Sequence, residues 1–418
     1  MALTLTPEEQ SWLSPDAPAG RAMAMRIVVR AAEFLGAENL VPIASSHIDG
    51  CLYHGDAGVA FAEKLVDGGA ATSVPATLNV GALDLTQPDR VRADAHFREM
   101  AGRQMDAYLK LGCQPTWTCA PYQAGHRPGL GEQVAWGESN AVAFVNSVLG
   151  ARSERYGDLL DISCAIAGRV PHVGLHRDEN RRATMVFDVS GLSETLKALD
   201  AFYPVLGAIV GGEAGSAVAV IDGLPADISD DALKAIGAAA ASKGAVGLFH
   251  IAGVTPEAPS LDTALQGAEP EEIITITPDQ VRAVRDSLSN ATAAAIDCLA
   301  LGSPHFSEAE TRALARLADG QRFRVPVYIC TGRHTMATLE ADGTRQALES
   351  QGVEFIIDTC VVVTPILKEM DGVLMTNSGK FAHYTTPNTG YGVVFGSLAD
   401  CVQSALAGEV RRQEAVWQ

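Results

Sequence analysis

The sequence contains no CxxC pair, although eight cysteines are spread over its 418 residues. This spacing argues against a zinc ribbon, a thioredoxin-type redox pair and a dense disulfide framework. In a reducing compartment the remaining uses of cysteine are buried thiols, a metal site or a cluster. Any site that uses several cysteines must therefore be assembled from distant parts of the chain.

Positive charge is also scarce, since 31 lysines and arginines face 50 acidic residues and the net charge is −19. This balance excludes nonspecific attraction to polyanions, so we expect no nucleic-acid and no membrane partner. The apolar stretch 206–223 is interrupted by five glycines and Glu213, which predicts a buried strand and turn rather than a membrane helix. The acidic segment 1–9 does not resemble a signal peptide, and we expect a cytoplasmic protein.

Nucleotide-binding and hydrolase signatures are absent. The glycines at 211–215 do not have the spacing of a dinucleotide-binding loop, and no Walker sequence occurs. Ser303 and His305 lack the GxSxG elbow of a serine hydrolase, and no ordered Cys–His pair supports a cysteine hydrolase. The sequence also contains no internal repeat and no low-complexity linker.

The composition, with 47% hydrophobic and 19% charged residues, supports a packed interior, and the length predicts two or three domains. Helical and strand-like segments alternate, which predicts an α/β protein with mostly parallel sheets flanked by helices. We predict an N-terminal lobe at 1–192, a smaller α/β domain at 193–276 with strands near Ala208 and Val218, and a C-terminal α/β domain at 277–418. In the last of these, we expect a single helix to span 335–351.

Two cysteine segments, TCAPY at 118–122 and DTCVV at 358–362, each lie where a strand is expected to end. Because parallel strands place ligand sites beyond their carboxyl ends, the second segment is expected to lie near Ser303, His305, Thr331 and Arg333. A buried thiol and a functional thiolate both remain open for Cys119 and Cys360. The same two interpretations hold for Cys51, which lies in a polar loop with Asp49 and His54.

Two polar segments are candidates for binding an anion. Ser139 is expected to cap a helix that begins near Glu138, where backbone amides can bind a carboxylate or a phosphate, although capping alone also explains the pattern. The segment 376–384 contains Lys380 and is interpreted either as a solvated turn or as a contact with the anionic group of a substrate. At Ser307 and Glu310 the spacing predicts a capping box.

Several of these motifs in order resemble the catalytic large portion of the aconitase X family, over nearly the whole chain. The motifs that carry the resemblance are HIDG at 47–50, TLN at 77–79, TCAPY at 118–122, WGESNA at 136–141, GSPH at 302–305, DTC at 358–360 and NSGK at 377–380. The resemblance implies an iron–sulfur dehydratase of aconitase-like α/β architecture. It also implies a small-molecule hydroxy acid substrate.

The resemblance further implies a set of site residues. Cluster ligands are expected at Cys119 and Cys360, and catalytic roles at Glu138, Ser139 and Lys380. The implied substrate contacts are Gly50, Cys51, Asn79, Glu138, Ser139 and Lys380.

Ser303 stands where the mevalonate 5-phosphate branch has a cysteine, so the third cluster ligand is open and Cys51 is a possible replacement. We therefore expect a 2Fe-2S cluster rather than 3Fe-4S or 4Fe-4S. Because the GSPH segment is similar to the branch that acts on cis-3-hydroxy-L-proline, we expect that substrate and the product Δ1-pyrroline-2-carboxylate. A mevalonate 5-phosphate dehydratase large subunit and a cluster-free binding or scaffold subunit are the alternatives.

The family also has a small swivelling domain, either fused or supplied as a separate subunit. No part of this sequence matches it, so we expect a small partner subunit.

Overall fold

The computed structural model describes residues 3–368 and 371–417. The chain divides into two compact units. Unit 1 is formed by Met1–Leu83 with Ala93–Arg182, and unit 2 by Asp84–Arg92 with Ala183–Gln418. The segment Asp84–Arg92 therefore leaves the sequence of unit 1 and packs as part of unit 2.

The described residues of unit 1 form two small sheets and six α-helices. The helices are α1 (Pro7–Ser11), α2 (Ala19–Leu35), α3 (Asp56–Asp67), α4 (Ala95–Lys110), α5 (Ser139–Ser147) and α6 (Leu160–Ala167). The strands are β1 (Leu40–Pro42), β2 (Ser45–Ile48), β3 (Ala76–Leu78), β4 (Val134–Trp136) and β5 (Arg169–Pro171). A parallel sheet has the order β3-β2-β4, and β1 pairs with β5 in antiparallel orientation.

In the part of unit 2 that the structure describes, the strands form two parallel sheets, in the orders β8-β7-β6-β9 and β12-β11-β10-β13-β14. Its strands are β6 (Met185–Asp188), β7 (Ala219–Asp222), β8 (Phe249–Ile251), β9 (Glu272–Thr275), β10 (Cys298–Leu301), β11 (Val327–Thr331), β12 (Val353–Ile357), β13 (Val373–Thr376) and β14 (Gly392–Phe395). Its helices are α7 (Glu194–Lys197), α8 (Phe202–Ala214), α9 (Asp230–Lys243), α10 (Leu261–Ala264), α11 (Pro278–Ser287), α12 (Glu308–Ala318), α13 (Arg333–Ala341), α14 (Thr344–Ser350), α15 (Gly379–Thr389) and α16 (Leu398–Ala407). The predicted α/β class with mostly parallel sheets is confirmed.

The five-stranded sheet of unit 2 is apolar on both faces. One face packs under residues such as Phe306, Leu314 and Met336, and the other under Cys360 and Phe381. Burial on both faces is typical of a parallel sheet and explains the nearly continuous apolar strands. Its polar groups are consequently concentrated at the strand ends.

The predicted strand near Ala208 is wrong, because this residue lies inside α8. The helix is buried almost all round, so it lacks the polar stripe by which a helix is recognised. Its glycines allow close packing on α9: a Cβ at Gly207 would lie 2.3 Å from the carbonyl oxygen of Ile236, and one at Gly211 would lie 2.5 Å from that of Ala240. The glycines taken as turn signals therefore mark a helix–helix contact.

The single helix predicted at 335–351 is also wrong in detail, since α13 ends at Ala341 and α14 begins at Thr344. Gly343 lies between them with φ of +81°, a left-handed conformation that interrupts a helix.

The predicted capping box at Ser307 and Glu310 is confirmed. Within the described residues, no helix combines the length and the apolar character needed to cross a bilayer.

Candidate functional site

The carboxyl ends of the three parallel strands of unit 1 place polar residues along one edge of their sheet. Asp49 follows β2, Asn79 follows β3, and Gly137 and Glu138 follow β4. Ligand sites in parallel α/β sheets lie at this edge. Three residues that the sequence predicts as substrate contacts, Gly50, Asn79 and Glu138, therefore lie at the same end of this sheet.

Asp161 holds the backbone of this edge and was not recognised from the sequence. Its Oδ2 accepts hydrogen bonds from the amides of Asp49 (2.6 Å) and Gly50 (3.2 Å), and its Oδ1 from the amide of Ile162 (2.6 Å). Burial raises the pKa of this carboxyl to about 6, although the three amides act against the shift. A Cβ at Gly137 would lie 2.6 Å from Oδ2 of Asp161, so only glycine fits beside the carboxylate.

The loop that carries Cys51 is supported from α4. Nε2 of Gln104 donates to the carbonyls of Gly50 (2.7 Å) and Leu52 (3.2 Å). The hydroxyl of Tyr108 lies so near Gly50 that an added Cβ would stand 2.9 Å from it. The backbone of the predicted substrate-contact segment is therefore fixed from both sides by Asp161 and Gln104.

Asp49 is the most strongly perturbed carboxyl of this edge. Nδ2 of Asn79 donates a short hydrogen bond to its Oδ1. Burial, followed by the charges of Glu138, Asp158 and Asp161, raises its pKa to about 8. Titratable groups with shifted pKa values at a strand edge are typical of functional sites.

Glu138, rather than the predicted Ser139, is the cap of α5. Its Oε2 accepts from the amide of Ala141 at 2.6 Å, while Ser139 is the first residue of the helix. A carboxylate in this position interacts favourably with the amino end of the helix dipole. Glu138 is buried, with 3% of its surface exposed. The expectation that Ser139 caps the helix is therefore wrong, because Glu138 makes the capping hydrogen bond.

The Cys119 loop is tied to α5 by a buried asparagine. Nδ2 of Asn140 donates to the carbonyl of Cys119 (3.0 Å) and to the hydroxyl of Tyr122 (3.2 Å). The ring of Tyr122 stacks on Phe144 with centroids 3.6 Å apart. Cys119 follows a bridge rather than a regular strand, because Gln114 makes only an isolated parallel bridge to Thr77.

Cys51 is placed as a packed thiol. Its side chain is fully buried, and its Sγ lies 3.4 Å from the carbonyl oxygens of Ile48 and Asn79, to which the thiol can donate. Burial, together with the negative charge of Asp49 and Asp161, raises the pKa of this thiol well above its usual value. These surroundings favour the neutral thiol over the thiolate that binds metals.

A chain of hydrogen bonds behind the same sheet was also missed. It runs from His47 Nδ1 to Thr77 Oγ1 (2.9 Å), on to His126 Nδ1 (2.8 Å), and from His126 Nε2 to Ser45 Oγ (2.8 Å). Burial lowers the pKa of His126 to about 4. This network fixes β2 against β3, and its members are separated along the sequence, so no local motif marks it.

In unit 2, Cys360 follows β12 in a loop that neighbouring residues restrain. Arg333 binds both carboxylate oxygens of Asp358, and His305 Nε2 donates to the carbonyl of Thr359 at 3.3 Å. Arg92 of the inserted segment Asp84–Arg92 donates from its backbone to Pro365 (2.7 Å) and from Nε to Ile366 (3.2 Å). The expected convergence of these strand-end residues near Cys360 is confirmed for His305 and Arg333.

A cavity of about 720 Å³ lies in unit 2 beside the GSPH segment. Among its lining residues are Ser303, Ser378, Lys380 and Lys234. Ser378 caps α15, and its hydroxyl donates a short hydrogen bond to the carbonyl of Ser303. Lys380 consequently lies in the first turn of α15, not in the solvated turn that was one interpretation of this segment.

Lys234, on α9, is a buried cation in the lining of this cavity. Its Nζ donates to Asp231 (2.9 Å) and Glu310 (2.5 Å), with only 3% of the side chain exposed. This pairing raises the pKa of the lysine further, although burial acts against it. Asp231 lies three residues before Lys234 on the same helix, but the contact with Glu310 of α12 depends on tertiary structure and has no local sequence pattern.

The potential metal-ligating side chains of the described residues are not gathered into one cluster. Within residues 3–368 and 371–417 no group of three or more His, Cys, Asp or Glu side chains has the arrangement of a metal site. Cys119 and Cys360 are 7% and 8% exposed, so each thiol lies just below the surface of its own unit. Taken one at a time, Cys119 and Cys360 are soft donors of the kind that iron–sulfur clusters use, whereas the fully enclosed thiol of Cys51 is less suited to the role.

Three family models together match most of the chain. They are the aconitase X first domain at 2–179, the second domain at 183–286 and the third domain at 296–407. The chain is 41% identical to the cis-3-hydroxy-L-proline dehydratase of Pseudomonas aeruginosa over 96% of its length and 69% of that protein. It is 35% identical to the phosphomevalonate dehydratase large subunit of Thermococcus kodakarensis, over 91% of this chain and 94% of that one.

The fold is similar to a solved one as well. The crystal structure of holo-form aconitase X from Thermococcus kodakaraensis superposes with a TM-score of 0.86 at 33% identity, covering 96% of this chain and 100% of that chain. Fold, strand-end residues and relatives together define a dehydratase, that is, a carbon–oxygen lyase that removes water. The chain belongs to the aconitase X family.

Proposed function

We propose that this chain catalyses the loss of water from cis-3-hydroxy-L-proline. The observation that carries the proposal is the 41% identity to the Pseudomonas aeruginosa cis-3-hydroxy-L-proline dehydratase over 96% of the chain. The phosphomevalonate dehydratase large subunit of Thermococcus kodakarensis is less similar, at 35% over 91%. A small hydroxy acid also suits the strand ends of unit 1, which carry carboxylates and amides.

The proposed reaction balances as an elimination. A base removes the proton from C2 while the hydroxyl leaves from C3, so the C2–H electron pair becomes the C2–C3 double bond and one water is released. The resulting enamine takes a proton at C3 and loses the proton on its nitrogen, which gives Δ1-pyrroline-2-carboxylate. Proton transfer by a positioned side chain accelerates such steps by roughly 10²–10⁴-fold.

The site residues are proposed in roles that fit their positions. Lys380, in the first turn of α15, binds the substrate carboxylate through a charge-assisted hydrogen bond. Glu138 and Ser139, at the amino end of α5, offer a carboxylate and a hydroxyl for proton transfer or for orienting the substrate. Gly50 and Asn79 are proposed substrate contacts because they follow β2 and β3 at the same sheet edge.

The proposed cofactor is an iron–sulfur cluster, with 2Fe-2S preferred. Cys119 and Cys360 would supply thiolates, and the cluster, when bound, supplies a Lewis-acidic iron that favours departure of a hydroxyl. The third ligand stays open between Cys51 and Ser303, and the enclosed position of the Cys51 thiol argues for Ser303 or another residue.

A small partner subunit is also proposed. The phosphomevalonate dehydratase relatives are named large subunits, and the chain matches 94% of the Thermococcus kodakarensis one. We propose that a separate small subunit supplies the swivelling domain to this chain. The location in the cytoplasm stays a prediction.

Steady-state kinetics on two substrates tests the proposal. Anaerobically purified protein, alone and with its small subunit or domain, would be offered cis-3-hydroxy-L-proline and mevalonate 5-phosphate. We expect a kcat/KM at least about a hundredfold higher for hydroxyproline, because mevalonate 5-phosphate lacks the ring amine and carries a phosphate that a hydroxyproline site is not built to pair. Preference for mevalonate 5-phosphate would establish the alternative, and full activity of the chain alone would overturn the proposed need for a partner.

A further inference from the structure

The hydroxyl of Ser303 is a polar group in unit 2 for which the fold itself has no use. Ser303 is 7% exposed, and it lines the cavity of about 720 Å³. Among the described residues, its carbonyl accepts a hydrogen bond from Ser378, whereas its Oγ has no partner. A hydroxyl donates one hydrogen bond and accepts two, so this one is available to a molecule in the cavity.

The backbone that carries this hydroxyl is fixed by side chains from other elements. The carbonyl of His305 accepts from Nζ of Lys234 at 3.3 Å, and the carbonyl of Phe306 accepts from Oγ1 of Thr331 at 2.7 Å. These bonds use the main chain of the segment and leave the Ser303 side chain to the cavity. A donor whose position is already fixed binds a ligand at a lower entropic cost.

The amino end of α15 lies in the lining of the same cavity. This helix of 11 residues is capped by Ser378 and begins at Gly379, and Gly379 and Lys380 both line the cavity. The first amides of a helix have no acceptor within it, and the helix dipole adds partial positive charge at that end. Because Ser378 also bonds to the carbonyl of Ser303, the helix start and the Ser303 hydroxyl are neighbours.

The acids of this cavity have other partners or are exposed. Asp231 and Glu310 both accept from Lys234, and Asp200 accepts the amide of Leu398 at 2.9 Å. Burial also raises the pKa of Asp200, which reduces the negative charge that it presents. The remaining acids of the lining are exposed, namely Glu194 and Asp227. An anion in the cavity is therefore best placed at the start of α15.

We propose that the Ser303 hydroxyl donates to the carboxylate of the substrate, beside the first amide of α15 and Lys380, a role that rests on the proposed function. One carboxylate oxygen accepts from Ser303 and the other from the amide of Gly379, while Lys380 supplies the opposite charge. Within the described residues, no cysteine lines this cavity. This lining favours a substrate contact for Ser303 and leaves the third cluster position to another residue.

The test uses two ligands that cannot be dehydrated and that differ in the carboxylate. L-Proline carries the carboxylate, whereas L-prolinamide has an uncharged amide in its place. Dissociation constants would be measured by calorimetry, together with iron and acid-labile sulfide, on the wild-type holoenzyme and on Ser303→Ala. The matched control is Ser287→Ala, which removes an exposed hydroxyl that donates to the carbonyl of Val284.

Ser303→Ala should weaken L-proline binding by about tenfold or more, since hydrogen bonds to charged groups are the strong ones. L-Prolinamide binding should change by less than about threefold, which also verifies that the variant is folded. Iron and sulfide per chain should equal those of wild type, because the alanine variant removes no cluster ligand. Ser287→Ala should match wild type in both binding and iron content.

Equal losses for the two ligands, unchanged L-proline binding in Ser303→Ala, or wild type that does not prefer L-proline would each overturn the carboxylate site. Loss of iron in Ser303→Ala would overturn it in favour of a cluster ligand at this position. If wild type binds L-proline through Ser303 but does not dehydrate hydroxyproline, the proposed function fails while the carboxylate site stands. If wild type dehydrates hydroxyproline and Ser303→Ala binds L-proline normally, only the carboxylate site fails.

Discussion

Arg333 and Asp358 form a two-point ion pair, in which Nε and Nη2 of the arginine each donate to one carboxylate oxygen at 2.7 Å. Asp358 has φ of +67°, a left-handed conformation that is unfavourable for a residue with a side chain. Two residues later comes Cys360. The arginine therefore stabilises the backbone turn that sets the position of this cysteine.

Replacing Arg333 with Ala should lower the iron content of the protein. Without the guanidinium, the buried Asp358 carboxylate loses its two strongest hydrogen bonds and the turn before Cys360 relaxes. Iron and acid-labile sulfide per chain should fall to less than about half, with Arg333→Lys in between because lysine cannot bind both oxygens at once. Arg345→Ala, which removes ion pairs with Glu340 and Glu349 on the surface of unit 2, is the matched control. Full iron occupancy in Arg333→Ala would contradict the positioning role.

Asn140→Ala should destabilise unit 1 through the Cys119 loop. The substitution leaves the carbonyl of Cys119 and the hydroxyl of Tyr122 without their buried donor, at a cost of about 2–3 kcal/mol. Urea unfolding measures the loss. In the control Asn180→Ala, an exposed asparagine loses one bond to Gly174, and the change should stay below about 1 kcal/mol. Equal effects of the two variants would mean that the Asn140 bonds contribute nothing specific.

Asp49 predicts a pH dependence of stability. Its pKa is about 8 in the folded chain against an ordinary 3.8, so the folded state holds more protons than the unfolded state between these values. The unfolding free energy therefore falls as pH rises through this interval. The lowered pKa of His126 and other buried histidines opposes this trend only below about pH 6.5.

The comparison with Asp49→Asn isolates this effect. From pH 6.5 to 8, the variant should gain up to about 2 kcal/mol of stability relative to wild type, because asparagine does not ionise. Urea unfolding at several pH values measures the difference. A difference that stays constant over this range would show that folding does not shift the titration of Asp49.

Lys380→Ala should reduce kcat/KM by about a hundredfold with little loss of stability, because a partly exposed lysine that binds the substrate carboxylate contributes charge and little packing. Lys380→Arg should retain part of the activity. Lys243→Ala removes an exposed lysine from α9 and should behave as wild type. Activity of Lys380→Ala equal to that of Lys243→Ala would exclude Lys380 from substrate binding.

The parts of the site that could be predicted are those that follow strands directly. Asp49, Asn79 and Cys360 each follow a strand, and a parallel sheet places such residues at the carboxyl edge of their own sheet. Asp161 could not be found in this way, because it contacts the amide of a residue 112 positions away. The helix at Ala208 was missed because burial on all sides removes the helical pattern. The domain boundaries after 192 and 276 stay predictions.

The segment Asp84–Arg92 was missed for a different reason. It has no strong pattern of its own, yet Arg90 donates to the carbonyl of Phe355 and Arg92 to those of Pro365 and Ile366. Such contacts depend on tertiary structure alone. They join a short segment between the two parts of unit 1 to the loop that carries Cys360.

The most direct measurement is anaerobic iron and sulfide analysis, with a visible absorption spectrum, on wild type, Cys119→Ala, Cys360→Ala and the control Cys401→Ala, whose thiol is buried on α16. The account predicts cluster absorption in wild type and in the control, and its loss in both ligand variants. Wild type without iron after protected purification, or a cluster that survives both substitutions, would contradict an iron–sulfur dehydratase site built on Cys119 and Cys360.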